Sequence, residues 1–192
     1  MKRMLLFVFW ISLAGLAIAQ GPKAKANEEA AVRAAADASA EVPAAPPSSS
    51  PLNDLGWLVG EWSDPSGDRA ISTTVSWTKN KSFLSYSFKV SVPGTDDLEG
   101  TQVIGWDPAA GTIRSWMFDS DGGFGEGTWS KKDNRWTVKF KQVLPDGRKA
   151  SATNIYTIVD KNTITWQSIG RQVDGQFLSN IGPVKVIRKV KS

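Results

Sequence analysis

From Leu52 onward the chain is a succession of short runs rich in Trp, Phe, Val, Thr and Ile, broken about every ten residues by Gly, Asp, Asn or Pro. That rhythm leaves no room for long helices and predicts an all-β domain. It is clearest between Gly100 and Trp129, GTQVIGWDPAAGTIRSWMFDSDGGFGEGTW, where two turn signals, DPAAG and SDGG, separate strand-like runs. Strands are expected at 58–63, 69–78, 82–92, 97–107, 111–119, 124–131, 135–144, 149–159, 163–170 and 184–190. Short connections demand antiparallel neighbours, and a meander of about ten strands closes on itself to remove its edges, so the expectation is an up-and-down barrel over residues 52–192.

Each turn sets which residues face one another, and side chains alternate between the two faces of a strand. Pairing Trp106 with Thr112 and Asp119 with Phe124 places Tyr86, Gln102, Ile104, Arg114, Trp116, Phe118, Trp129, Asn154, Tyr156 and Trp166 on one face. Lys89, Glu99, Ser115, Glu126, Lys139 and Lys141 fall on the other. The aromatic set is expected inside, the charged set in water.

The residue inventory narrows the chemistry. The chain has no Cys and no His, which excludes disulfides, a thiol nucleophile and the commonest general base. No serine lies in a nucleophile elbow, and no pair of carboxylates falls on the interior face. No catalytic residue is therefore assigned, and no cofactor.

Met1 to Ala19 reads as a signal peptide, with a basic start at Lys2 and Arg3, an apolar run from Met4 to Leu16 and the small-x-small site Ala17-Ile18-Ala19. The implied location is periplasmic or extracellular, with no membrane attachment after cleavage. Without Lys2 and Arg3, 21 basic residues face 19 acidic ones, a net charge of about +2. Such a balance argues against nucleic acid. Residues 20–51 are rich in Ala, Pro and Ser and read as a linker, with Asn27 to Ala40 able to form a solvated helix.

Several segments carry family resemblances. Gly60-Glu61-Trp62 within LGWLVGEW resembles the GxW motif that opens the first strand of lipocalins and other calycins. That resemblance implies that Trp62 packs beside a basic residue of the last strand, here Arg188, with Lys185 and Lys189 as substitutes. The stretches WLVGEW, GTQVIGWDP, IRSWMFDSDGGFGEG, LPDGRKASATNIYT and TWQS resemble an uncharacterised bacterial calycin-like domain often found behind SnoaL-like domains. Asn27 to Ala40 is similar to the opening of a SnoaL-like first helix, although its composition reads first as an alanine-rich spacer. The opening is also similar to that of the haem-binding nitrobindin group, which ligates iron through a histidine that this chain lacks.

Two functions follow for such a barrel. One is a carrier or sensor for a small, mostly apolar ligand, neutral or anionic, lined by Tyr86, Gln102, Arg114, Trp116, Trp129, Asn154, Tyr156 and Trp166. The other is a structural or protein-interaction module whose aromatic interior is filled. Arg114 is open to two readings, a structural cation satisfied by protein groups and water, or the contact for an anion. Asp119-Ser120-Asp121-Gly122-Gly123 reads as a hairpin turn in preference to a calcium loop, so no metal site is assigned.

Overall fold

The computed structural model describes residues 50–65 and 70–189. The expected signal peptide, most of the expected linker and its Asn27 to Ala40 segment lie outside the described residues, as does Val190. Eleven antiparallel strands follow a 3-10 helix, Pro51–Leu58: β1 Gly60–Ser63, β2 Ala70–Trp77, β3 Phe83–Ser91, β4 Leu98–Asp107, β5 Thr112–Asp119, β6 Phe124–Lys132, β7 Arg135–Val143, β8 Lys149–Asp160, β9 Thr163–Val173, β10 Gln176–Phe177 and β11 Ile181–Arg188. Consecutive strands pair from β1 to β9, and β11 lies between β9 and β1, so ten strands close into a barrel with the two-residue β10 appended to β9. Among the described residues no helix is long and apolar enough to cross a membrane.

The segment before β1 breaks the expected strand pattern. Ser50 caps the helix by accepting the Leu52 N–H, and Pro51, which needs no amide partner, starts it. Leu52, Leu55 and Leu58 are fully buried against Leu84, Ile104, Ile113, Trp129, Trp136 and Val138. Three leucines at this spacing fall on one side of a helix, a pattern that a search for alternating strands passes over. The helix thereby fills one end of the barrel, beside the hairpin loops at 78–82 and 133–134, where Lys131 pairs with Asp54 at 3.0 Å.

The first and last strands meet at a seam. Trp62, 2% exposed, pairs across it with Arg188, whose guanidinium carbon stands 4.1 Å from the indole centroid. Arg188 also donates to the carbonyls of Trp57 (2.6 Å), Val59 and Lys161 (2.9 Å), and Trp62 Nε1 donates to Leu58 O at 2.8 Å. One cation thus ties the helix, β1, β11 and the β8–β9 loop. Gly60 makes room for it, since a Cβ there would run into Arg188 Nη1, and its φ of 131° suits glycine.

Two expected registers are wrong by one residue. Asp107 pairs with Thr112, because its carboxylate accepts the N–H groups of Ala109 and Ala110 and tightens the turn to four residues. Phe118 rather than Asp119 pairs with Phe124, because Asp119 is drawn into its own turn, where its carboxylate accepts the Gly123 N–H at 2.7 Å. A one-residue slip turns a whole strand over. Arg114, Trp116 and Phe118 therefore face outward, and Ile113, Ser115 and Met117 face the interior. The two slips have opposite sense, so the faces of β6 and later strands come out as expected: Phe140 pairs with Ala152 and Tyr156 with Trp166.

Candidate functional site

The two halves of the barrel interior differ. Beside the 3-10 helix it is packed solid: Trp129 stacks on Tyr156 (centroids 5.7 Å apart, 11° between planes), meets Trp136 edge-on at 6.3 Å, and donates its indole N–H to Ser115 Oγ at 3.0 Å. Ser115 is completely buried, so its hydroxyl, expected in water, is the acceptor that allows Trp129 to be buried. Towards the other end, Tyr86, Phe88, Gln102, Met117, Phe140 and Asn154 point inward on their strands yet stay only half-buried. Inward side chains of a closed barrel meet solvent only through an open end, so these residues lie where solvent reaches the interior.

Glycines shape its wall. Phe140 lies over Gly125 and Phe88 over Gly100, positions where a Cβ would collide with the ring, while a Cβ at Gly127 would collide with Ser115 Oγ and Val138. The aromatic rings consequently pack against backbone at these positions.

Tyr86 and Tyr156 are the only phenols in the chain, and both sit inside. Burial pushes the Tyr86 hydroxyl up to about 12, opposed by a hydrogen bond with Thr73. Burial pushes Tyr156 further in the same direction, helped by the nearby Tyr86 and opposed by Trp166. Both hydroxyls are thus neutral at any physiological pH, suited to hydrogen bonding rather than to proton abstraction. Gln102 lies directly across from Tyr86, and Asn154 two residues from Tyr156 on the same face.

The sequence-derived site divides accordingly. Tyr86, Gln102, Asn154, Tyr156 and Trp166 share the interior with Trp129, which belongs to the packed end. Arg114 and Trp116 do not join them. Arg114 reaches Glu126 at 2.5 Å and Asp107 at 3.2 Å on the outer wall and lies 5.4 Å over Trp116. Asp107 first, then Glu126, raises its pKa, so Arg114 is a cation satisfied by protein groups, as one of the two readings had it, but on the outer wall and not inside.

The interior does contain one arginine that the sequence reading missed. Arg171, 6% exposed, stands beyond the predicted end of its strand. Between Ser151 and Thr153 the β8–β9 pairing skips, so that Gly170 and Arg171 together oppose Ala152, and Gly170 takes φ 58°. This is a β-bulge with glycine in the left-handed region, and it aims Arg171 inward. Arg171 Nη1 donates to Ser179 O at 2.7 Å, while burial lowers its pKa. The available signal was the Gly170-Arg171 dipeptide in a run otherwise reading as a strand.

Asp119, the centre of the SDGG turn, spends its carboxylate inside the protein: Oδ1 accepts from Gly123 and Asp121, Oδ2 from Gln142 Nε2 at 3.0 Å. Burial raises its pKa above the usual carboxylate range. No protein-family model matches this chain, and no curated protein matches it either.

Proposed function

We propose that this is an exported barrel of calycin-like type that carries or senses a small, mostly apolar ligand. The observation that carries the reading is the set of inward-facing, half-buried side chains opposite the helix-filled end. The calycin-like assignment is supported by Gly60, Trp62 and Arg188 acting together at the seam. With Arg114 outside, the polar end of the ligand meets uncharged groups: Gln102, Asn154 and the hydroxyls of Tyr86 and Tyr156. These groups suit an alcohol, ketone or amide attached to an apolar body, which would stack on Phe88, Phe140 and Trp166.

The test uses the neutral fluorophore N-phenyl-1-naphthylamine with displacement by long-chain alcohols and ketosteroids. The wild-type protein is expected to enhance its fluorescence, and Ala152→Phe, which fills the space across from Phe140, to abolish the signal. Gln102→Leu should keep the fluorophore but weaken displacement by alcohols about tenfold, the loss of roughly one hydrogen bond. Arg114→Met should change neither. Absence of any enhancement with wild-type protein, or equal enhancement with folded Ala152→Phe, would overturn the reading.

A further inference from the structure

The register of β5 has a second consequence: it turns Trp116 and Phe118 to the outer face. Phe118 is 57% exposed and Phe124, its partner across the β5–β6 pair, 51%. Large aromatics displayed side by side on an outer sheet face are unusual, and contiguous patches of this kind mark binding surfaces. Here they form one wall of a groove of about 700 Å³ whose other wall is built by Lys141, Lys149, Ser151 and Gln172. It crosses β5, β6, β7, β8 and β9, four inter-strand steps and so roughly 19 Å at ~4.8 Å each. A shallow trough of that length suits an extended chain better than a compact molecule.

Its charges are unevenly used. The groove has two acids, and both are engaged: Glu126 is held by Arg114 at 2.5 Å, and Asp174 Oδ1 accepts the backbone N–H of Lys149 at 2.9 Å. Neither the Lys141 nor the Lys149 ammonium has an ion-pair partner among the described residues. Gln172 Nε2 donates to Ser151 Oγ at 2.9 Å, a bond that uses neither the hydroxyl proton nor the amide oxygen of the pair. The trough thus offers flat apolar rings, two cations outside any ion pair among the described residues, the Asp174 carboxylate and a neutral donor–acceptor pair.

From this combination we infer that the outer groove binds an acidic oligosaccharide of the uronate type. Pyranose rings present flat C–H faces that stack on Trp116, Phe118 and Phe124, their hydroxyls meet Ser151 and Gln172, and carboxylates along the chain meet Lys141 and Lys149. The inference is independent of what occupies the barrel interior, because all these side chains point away from it.

Affinity electrophoresis and calorimetry with oligogalacturonate test it, with maltohexaose as neutral chain and with dextran sulfate and oligo(dT) as other polyanions. Oligogalacturonate is expected to bind, more weakly as salt rises, and to bind at least tenfold more tightly than any of the three controls. Phe124→Ala and the double variant Lys141→Glu, Lys149→Glu should each lose at least tenfold while retaining wild-type circular dichroism and N-phenyl-1-naphthylamine response. Equal binding of maltohexaose would remove the role of the lysines, and equal binding of dextran sulfate or oligo(dT) would reduce the groove to a generic cationic surface. Either result overturns the proposal, as does unchanged binding in both folded variants. Self-association that depends on Phe118 and Phe124, seen by sedimentation, would overturn it in favour of a second copy of this chain.

Discussion

The two tyrosines give the interior a spectroscopic handle. An unfolded phenol ionises near pH 10, whereas Tyr86 in the folded barrel is pushed up to about 12 and Tyr156 further still. Between those limits the unfolded chain releases protons that the folded chain keeps, so stability falls as pH climbs above 10. The slope is at most about 1.4 kcal/mol per pH unit for each phenol. Absorbance at 295 nm should therefore stay flat in the native protein past pH 10.5 and rise only with unfolding. A native rise near pH 10 would show that one of the phenols is bathed in solvent and that the interior is more open than the half-burial of its lining indicates. Tyr86→Phe should remove part of the alkaline destabilisation and leave stability at pH 7 within about 1.5 kcal/mol, the usual net worth of one hydrogen bond.

At the scale of elements, stability concentrates at the seam. Trp62→Ala should cost about 3–5 kcal/mol, as expected for a buried indole, measured by urea unfolding. Arg188→Met should be comparably damaging although it adds apolar volume, because it strands the carbonyls of Trp57, Val59 and Lys161 together. If Arg188→Met proves neutral while Trp62→Ala does not, the seam is held by packing alone and the guanidinium is incidental. Strand existence was legible from composition and turn residues, as was the Trp62–Arg188 pairing from the motif at one end and the basic run at the other. The failures were local. Asp107 and Asp119 each stand at a strand end, where one residue serves equally as last strand position or first turn position. The choice is made by a side chain bonding its own backbone, which no alternation pattern records. The aromatic content of β5 compounded the error, since Arg114, Trp116 and Phe118 form the more apolar-looking set, yet Ile113, Ser115 and Met117 are the ones turned inward. Arg171 escaped notice for a related reason: a bulge adds one residue and reverses the face for everything after it.

For the molecule as a whole, the barrel has a filled end and an end whose inward side chains are only half-buried, and its outer wall carries a groove of its own. The filled end was hidden from strand-based reading because the Leu52, Leu55 and Leu58 spacing belongs to a helix in front of the first strand. The looser packing of the second end could not be read from residue types, since the same aromatics would serve a solid core. What distinguishes the two is how the side chains pack over Gly100, Gly125 and Gly127, and that depends on which neighbour lies over which glycine.

The seam also sets the order in which this protein can come into being. Arg188 and Val59, joined through Nη1, stand 129 residues apart, and β1 has no second neighbour until β11 exists. Until the last eight strand residues are available, β1 and β9 each present a bare row of amides and carbonyls to any other chain. Removing residues from Ile181 onward should then do more than weaken the fold. The shortened chain is expected to sediment as oligomers and to bind thioflavin T, while the intact chain folds in milliseconds to seconds, the range of proteins dominated by distant pairings. A shortened chain that stayed monomeric would mean that the seam is a late ornament on a self-sufficient sheet. If it aggregates, closure is a race between the final strand and the neighbouring molecule, and every newly made copy runs it once.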